Sequence, residues 1–324
     1  MKLKLPLVAL TLAFGVGLAQ AGPLDKTECI APAKPGGGFD LTCKLAQSSL
    51  LNGKYISDPM RVTYMPGGIG AVAYNAVVAQ RPAEANTIVA FSGGSLLNLA
   101  QGKFGRYNEN DVRWLAAVGT DYGAVIVADA SPFKTLKDLV AAIKADPTKV
   151  VFGAGGTVGS QDWMKAALTA KAAGLDPRKM RFVAFEGGGE ASTALQGGHV
   201  QVYSGDASEA EEQMKAGAKI RVLAVMADKR AALYPNVPTL KEATGSGWGT
   251  GAWRGMAAPK GLPADVRAKL EGALKKVYDS KDYQDFMASR GFGVIWGAGE
   301  EFGRFMAKGD ADMKKVMTAV GIVK

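Results

Sequence analysis

The feature that most constrains this chain is a recurring unit: an apolar stretch, a turn rich in glycine, and an amphipathic stretch. Its first copy occupies residues 29–33, 34–40 and 41–51. The unit predicts a β-strand, a tight turn and an α-helix, because glycine adopts backbone conformations that other residues avoid. The helix start also leaves N–H groups unpaired at the positive end of the helix dipole, so such a turn can bind an anion.

The same unit recurs along the chain, with glycine where each strand is expected to end. The turns lie at 35–40, 66–70, 92–95, 153–160, 186–190 and 204–206. One glycine turn is weak evidence for a site, because glycine commonly ends strands. Several turns at corresponding positions indicate that amides from several helix starts surround one small molecule carrying two or three carboxylates.

Strands that alternate with helices of about 10 to 15 residues predict βαβ units, an α/β fold and sheets rich in parallel strands. Other stretches predict strands at 112–118, 124–128, 149–152, 200–203, 220–226 and 294–296, and helices at 71–80, 264–278, 283–289 and 300–320.

Two segments interrupt this pattern, near 120–124 and 247–254, and we interpret them as crossings between two lobes. Lobe 1 is predicted to comprise 22–121 plus 253–324, and lobe 2 to comprise 122–252. The last helix should pack on lobe 1 away from the cleft. Ligands of open α/β sheets bind at the carboxyl ends of strands, where the glycine turns lie. The prediction is therefore a two-lobed clam-shell with a ligand cleft between the lobes.

The N-terminus has the pattern of a secretory signal. Lys2 and Lys4 precede an apolar stretch at 5–18, and Ala19-Gln20-Ala21 matches the small-x-small cleavage pattern. We therefore expect a signal peptide at 1–21, export, cleavage after Ala21 and a soluble mature protein.

Charge gives no indication of a nucleic-acid partner. The formal net charge is +9, but lysine and arginine alternate with acids along predicted helices, as in 267–276. No basic block is interleaved with aromatic residues, so these charges are expected to be solvated.

The two cysteines, Cys29 and Cys43, flank the first glycine turn. An exported protein meets an oxidising compartment, so we expect a disulfide that joins the first strand to the following helix. A catalytic thiol or half of a metal site lacks partners, because the only histidine, His199, is distant in sequence.

Enzymatic chemistry has few candidates. A single histidine leaves Ser–His and Cys–His catalysis almost without partners. The glycines at 153–159 resemble a dinucleotide fingerprint, but no acidic residue at a strand end follows about 20 residues later. We expect no cofactor and no enzyme; an exported enzyme acting on organic acids is the alternative from a different class.

Four carboxylates near the turns are candidates for a metal or acid/base set: Asp40, Glu186, Glu190 and Asp206. The surrounding glycine amides favour anions over cations, so we predict no metal site. Asp40 is expected to cap its helix or orient its loop, and Asp206 to accept a ligand hydroxyl. Phe39 lies inside its turn, where it can cover the pocket.

The most specific motifs are ECIAPAKPGGGFDLTCK (28–44), MRVTYMPGG (60–68), AFSGGSLLNL (90–99), GSQDWM (159–164) and VAFEGGGE (183–190). In these motifs the chain resembles the periplasmic receptors of tripartite tricarboxylate transporters, also called Bordetella-uptake-type receptors. The resemblance implies a Venus-flytrap fold whose cleft closes on its ligand. It also implies delivery of citrate or a related tricarboxylate to a membrane transporter with one large and one small subunit.

The resemblance also assigns roles to the turns. Residues 37–40 and 66–70 would hold one ligand carboxylate, partly through ordered water, and 155–161, 187–189 and Asp206 would contact the rest. The candidate substrate-binding set is Gly37, Gly38, Phe39, Asp40, Pro66, Gly67, Gly68, Ser92, Gly93, Gly155, Gly156, Thr157, Ser160, Gln161, Gly187, Gly188, Gly189 and Asp206. We expect a monomer. A receptor for a dicarboxylate or an aromatic acid is the alternative within this architecture, and the role of Arg254 is left open.

Overall fold

The computed structural model describes residues 24, 26–245, 252–289, 292–293 and 295–319. The predicted signal peptide at 1–21 lies outside these residues, as does 246–251 of the predicted return crossing. Within the described ranges, no helix combines the length and the apolar character needed to cross a bilayer.

The described residues form strands and helices that alternate for most of the chain. The strands are β1 (Glu28–Ala31), β2 (Arg61–Tyr64), β3 (Thr87–Ser92), β4 (Val112–Asp121), β5 (Gly123–Ala128), β6 (Val151–Gly155), β7 (Arg181–Phe185), β8 (Val202–Asp206), β9 (Ile220–Met226), β10 (Ala252–Pro259) and β11 (Gly297–Ala298). The helices are α1 (Gly38–Asn52), α2 (Ala71–Asn75), α3 (Gly93–Ala100), α4 (Leu136–Ala145), α5 (Gln161–Ala172), α6 (Gly188–Gln196), α7 (Ala207–Lys215), α8 (Leu240–Thr244), α9 (Ala264–Tyr278), α10 (Lys281–Ser289) and α11 (Gly299–Ala319).

The strands form two sheets, in agreement with the predicted two-lobed α/β fold. The first sheet has the order β11-β4-β10-β3-β1-β2, and the second has the order β7-β6-β8-β5-β9. Pairing is parallel where βαβ units follow one another, as in β1 with β2 and β3, and β6 with β7 and β8. The expectation of sheets rich in parallel strands holds for these units, whereas β10 and β5 pair antiparallel with their neighbours.

Each sheet is covered by helices on both faces. In β1, Cys29 and Ala31 face a core shared with α1 and α9, while Ile30 faces the opposite core with α2, α3 and α11. Burial on both faces explains why the three residues after Glu28 in this strand are all apolar rather than alternating. Helix α11 packs on β4 and α3, as expected for the last helix. In the second sheet, the two faces carry α4, α5 and α8 on one side and α6 and α7 on the other.

Several element boundaries differ from the prediction. Strand β8 runs through Ser204–Asp206, which had been assigned to a turn, because these residues pair with β5. Strand β6 likewise continues to Gly155. Helix α2 ends at Asn75, where a π-helical turn, Ala76–Gln80, replaces its predicted continuation. The strand expected at 294–296 is found at Gly297–Ala298, and residue 294 lies outside the described residues.

The predicted disulfide is confirmed. Cys29 on β1 and Cys43 on α1 are bonded, with their Cα atoms 5.6 Å apart. The bond joins the two elements on either side of the first glycine turn and lies in the core of the first sheet.

Candidate functional site

A cavity of about 270 Å³ lies between the two sheets, at the carboxyl ends of their strands. This is the place predicted for ligands of open α/β sheets. The first sheet and its helices contribute Pro32, Ala33, Gly37, Gly38, Phe39, Gly68, Ser92, Gly94, Ser95, Asn98 and Arg254. The second contributes Gly155, Gly156, Thr157, Ser160, Gln161, Asp162, Ala184, Phe185, Glu186, Gly187, Gly188, Glu190, Asp206 and Glu209.

Most of the predicted site residues are brought together in this lining. They are Gly37, Gly38, Phe39, Gly68, Ser92, Gly155, Gly156, Thr157, Ser160, Gln161, Gly187, Gly188 and Asp206. The lining does not include Asp40, Pro66, Gly67, Gly93 or Gly189.

Asp40 lies outside the cavity lining and fixes the first turn through hydrogen bonds. Its side chain is buried, and its Oδ2 accepts hydrogen bonds from the Gly36 backbone N–H and the Lys44 ammonium, each at 2.8 Å. Its Oδ1 accepts from the Tyr64 hydroxyl at 2.9 Å. Asp40 therefore orients its loop, one of the two roles expected for it.

Other predicted residues outside the lining support the turns. Gly67 has φ +124°, which disfavours any residue with a Cβ. Gly189 approaches the opposite lobe so closely that a Cβ would lie 2.3 Å from the Pro35 carbonyl oxygen. Gly93 is the first residue of α3 and faces the indole of Trp253.

The helices that start at the cavity differ in how their first N–H groups are satisfied. Ser92 and Ser160 cap α3 and α5, because their hydroxyls accept from backbone N–H groups of the first turn. Helices α1 and α6 begin after Gly37 and Gly187, and neither glycine offers a side-chain cap. Their first N–H groups are thus available to an anionic ligand.

The two lobes touch around the cavity, so the structure is closed. Lys34 and Glu190 form an ion pair of 2.7 Å between the first and second lobes. Near another part of the cleft, the Gln101 side-chain amide donates to the Gly159 carbonyl at 2.9 Å. A Cβ on Gly37 would lie 3.2 Å from the Gly188 nitrogen, so the starts of α1 and α6 are also close.

A buried ionic network forms one wall of the cavity. The guanidinium of Arg254, a residue only 5% exposed, pairs with Asp206, and its Nη2 lies 3.3 Å from Asp121 Oδ2. The Lys165 ammonium lies 2.5 Å from Asp206 Oδ1 and 2.6 Å from Asp162 Oδ1. Both oxygens of Asp206 are therefore engaged by protein cations, and the ligand hydroxyl expected at Asp206 from the sequence stays a prediction.

The network contains more carboxyl groups than cations, and this imbalance shifts the pKa values of its carboxyl groups. Burial, together with the nearby charge of Asp206, raises the pKa of Glu209 to about 8. The same two causes raise the pKa of Asp121 to about 6. For Asp206, burial acts in the same direction, but Lys165 and Arg254 outweigh it and lower the pKa.

The four carboxylates that the sequence offers as a metal set are not arranged around one point. Asp40 lies outside the lining, Glu190 is paired with Lys34, and Asp206 is held by two cations. Within the described part of the chain, no group of three or more histidine, cysteine or acidic side chains is arranged to hold a metal ion.

Sequence reasoning missed several polar residues of the lining. Ser95 and Asn98 follow Ser92 at intervals of three on α3, so a helical-face analysis would have found them. Asp162, Glu209 and Arg254 gave no local signal, because a charged residue in a helix or loop is usually solvated.

Comparison with known proteins agrees with this geometry. Residues 54–322 match the family model described as tripartite tricarboxylate transporter family receptor. The UPF0065 protein in the gbd 5′ region of Cupriavidus necator is 26% identical over 298 residues, covering 89% of this chain and 85% of that protein. The UPF0065 protein in the TAR-I ttuE-ttuC′ intergenic region of Agrobacterium vitis is 30% identical, covering 78% of this chain and 71% of that protein.

Solved structures share the fold at lower identity. The periplasmic binding protein BugD has a TM-score of 0.79 at 20% identity, covering 92% of this chain and 98% of that chain. MatC from Rhodopseudomonas palustris, with bound malate, has a TM-score of 0.76 at 22% identity, covering 90% of this chain and 98% of that chain. Rpa4515 of R. palustris, with adipate, has a TM-score of 0.79 at 20% identity, covering 91% of this chain and 97% of that chain. With the family match across most of its length, this chain belongs to the receptor family of the tripartite tricarboxylate transporters.

Proposed function

We propose that this protein is a periplasmic receptor that binds citrate or a related tricarboxylate between its lobes. One observation carries the proposal: the starts of α1 and α6 both line one cavity between the lobes, and neither helix has a side-chain cap for its first N–H groups. Amide dipoles in a site shielded from water bind carboxylates without a dedicated arginine clamp. The cavity, about 270 Å³, is near the lower end of the roughly 300–1,000 Å³ typical of small-molecule sites.

Capture would be coupled to closure of the cleft. A ligand that contacts both lobes binds the closed form better than the open one, and so shifts the population toward it. The closed receptor, a monomer in this proposal, would then dock on a membrane transporter with one large and one small subunit. The family match supports this delivery role.

We also propose the lobe boundaries given above, 22–121 plus 253–324 and 122–252, after removal of a signal peptide at 1–21. Sheet membership supports them. Strands β1–β4, β10 and β11 make up the first sheet, whereas β5–β9 make up the second. The chain passes from one sheet to the other between Asp121 and Gly123.

A dicarboxylate is the second candidate ligand. Two proteins of the same fold were solved with malate and with adipate. The cavity of this chain also carries Asp162, Asp206 and Glu209 on its second-lobe wall. These carboxyl groups would disfavour a third ligand carboxylate placed beside them.

Isothermal titration calorimetry of the purified chain tests both candidates. Citrate, isocitrate, tricarballylate, malate, succinate and adipate would be compared, with a neutral sugar as the control. We expect citrate to bind with a Kd in the micromolar range or tighter, about −8 kcal/mol. Tighter binding of a dicarboxylate would favour the second candidate, and no heat with any acid would refute the receptor proposal.

A further inference from the structure

Asp162, the second residue of α5, presents an unused hydrogen-bond acceptor to the cavity. Its Oδ1 lies 2.6 Å from the Lys165 ammonium, which fixes the orientation of the carboxylate. Its Oδ2 has no hydrogen-bond partner among the residues that the structure describes, and its side chain is 23% exposed and lines the cavity. The free oxygen is therefore within reach of a bound molecule.

The other inner carboxyl groups of the cavity are already engaged. Asp206 accepts from Lys165 and Arg254, one cation on each oxygen. Glu209 accepts from the Tyr203 hydroxyl through Oε2, while its Oε1 lies 3.6 Å from Arg254.

The acidic residues nearer the cavity rim differ from Asp162 as well. Glu190 accepts from Lys34 through Oε1 and from the Glu186 backbone N–H through Oε2. Glu186 itself is exposed. Asp162 thus combines a fixed position with an available oxygen.

A glycine keeps this oxygen uncovered. A Cβ placed on Gly155 would lie 3.0 Å from Asp162 Oδ2 and 3.3 Å from the Gly187 Cα. Any side chain at 155 would therefore stand over the free oxygen of Asp162, whereas glycine leaves the approach open.

We propose that Asp162 Oδ2 accepts a hydrogen bond from a hydroxyl group of the ligand, so that the receptor selects hydroxylated acids over their deoxy analogues. This inference rests on the proposed function, the capture of a small di- or tricarboxylate. A ligand carboxylate cannot fill the role, because it would bring like charge against Asp162 and has no proton to donate. An ammonium group is the competing donor, because the carboxyl groups around Lys165 and Arg254 outnumber these two cations, and a comparison of aspartate with malate distinguishes the two donors.

Matched ligand pairs test the proposal directly. Citrate and tricarballylate differ by one hydroxyl, as do malate and succinate. A hydrogen bond to a charged acceptor should make the hydroxylated member of each pair bind about 10- to 100-fold more tightly, measured by calorimetry on the full chain.

Substitution of the acceptor should remove this discrimination. In Asp162→Asn the side-chain oxygen is retained for Lys165, so the amide NH₂ group faces the ligand where Oδ2 stood. We expect the ratio of the two Kd values to fall toward one in this variant, because a hydrogen bond between the neutral amide and the ligand hydroxyl is weaker than one to a charged carboxylate. The control is Asp228→Asn, which removes an exposed carboxylate outside the cavity lining and should preserve the wild-type ratio.

Each outcome distinguishes this inference from the function on which it rests. Equal binding of both members of each pair by the wild-type chain, or an unchanged ratio in Asp162→Asn, would overturn the role of Asp162 and leave the receptor proposal standing. Tighter binding of aspartate than of malate would overturn the choice of a hydroxyl. If no acid binds at all, it is the proposed function that fails. The wild-type ratio keeps the proposal falsifiable even if the variant does not fold, because equal binding of both members of each pair is enough to overturn it.

Discussion

Arg254 on β10 and Asp206 at the end of β8 form a buried ion pair that joins the two lobes. The same guanidinium reaches Asp121, the last residue of β4, where the chain leaves the first sheet. Both Arg254 and Asp206 line the cavity. The contact between the lobes and the wall of the ligand site are therefore parts of one network.

Removing Arg254, one of the two cations of this network, should lower the stability of the fold. Arg254→Ala leaves Asp206 and Asp121 buried without one of their positive partners, and breaking a buried ion pair in this way typically costs about 3–5 kcal/mol. Urea unfolding followed by circular dichroism would measure the loss in free energy of unfolding.

Asp206→Asn is the matched variant for that experiment. It removes one of several carboxyl groups of the network. Lys165 remains paired with Asp162, and Arg254 remains paired with Asp121. Its loss should be clearly smaller than that of Arg254→Ala. Equal losses would contradict the view that carboxyl groups are in excess in the network.

Two glycines of the cavity should not tolerate even a methyl group. A Cβ on Gly38 would lie 2.2 Å from Arg254 Nη1, and one on Gly188 would lie 2.2 Å from Glu209 Oε2. Gly38→Ala and Gly188→Ala should each destabilise the fold by about 1–3 kcal/mol and weaken ligand binding, because the network must move to make room. Thermal unfolding and calorimetry would measure both effects.

Gly272 supplies the control for these substitutions. It lies within α9, and nothing is found within 4 Å of its Cβ position. Gly272→Ala should stabilise the protein by about 0.5–1 kcal/mol, since alanine is the better helix former. Destabilisation at all three positions would show that the crowding in the cavity is not the cause.

The disulfide should stabilise the fold and preserve the shape of the first turn. Closing a loop of about 15 residues contributes roughly 3 kcal/mol in the chain-entropy account. The double variant Cys29→Ala/Cys43→Ala should lose about that much stability in urea, and its ligand affinity should fall because the turn is less ordered before binding. Since the chain contains only these two cysteines, a reducing agent should weaken the wild type and leave the variant unchanged.

Stability should fall as pH rises through the neutral range, because of Glu209. Burial and the neighbouring carboxylate of Asp206 raise the pKa of Glu209 from 4.5 to about 8 in the folded chain. Between these values the folded state holds a proton that the unfolded state has released, so the free energy of unfolding decreases with increasing pH. Asp121, with a pKa raised to about 6, acts in the same direction.

Urea unfolding at pH 5 and pH 8 would test this dependence. Glu209→Gln should reduce the decrease in stability between the two pH values, because glutamine does not titrate. Glu186→Gln removes an exposed carboxylate and should show the wild-type decrease. An identical pH dependence in all three proteins would exclude Glu209 as its source.

Sequence reasoning succeeded where the signal is local. The first strand, turn and helix were predicted because an apolar stretch, consecutive glycines and an amphipathic stretch follow one another within 29–51. The same local pattern predicted most of the residues that line the cavity. The expectation of a receptor rather than an enzyme also agrees with the family to which the chain belongs.

Predictions failed where the structure depends on distant partners. Ser204, Gly205 and Asp206 contain the residue types of a turn, yet they form a buried strand because β5 supplies their hydrogen-bond partners. Arg254 likewise becomes a wall of the site only because Asp206 and Asp121, far away in sequence, meet it there. Such pairings have no counterpart in the residues immediately around them.

The pairing of β4 with β10 has a consequence for protein engineering. Asp121 and Ala252 are directly opposite each other in this antiparallel pair, and every strand of the second sheet lies between them in sequence. The segment that forms the second sheet therefore begins and ends at two paired residues of the first sheet, which are one strand spacing apart, about 4.8 Å. We expect that this segment can be exchanged for that of a relative without altering the register of the first sheet, provided that the new sheet supplies a carboxylate to Arg254.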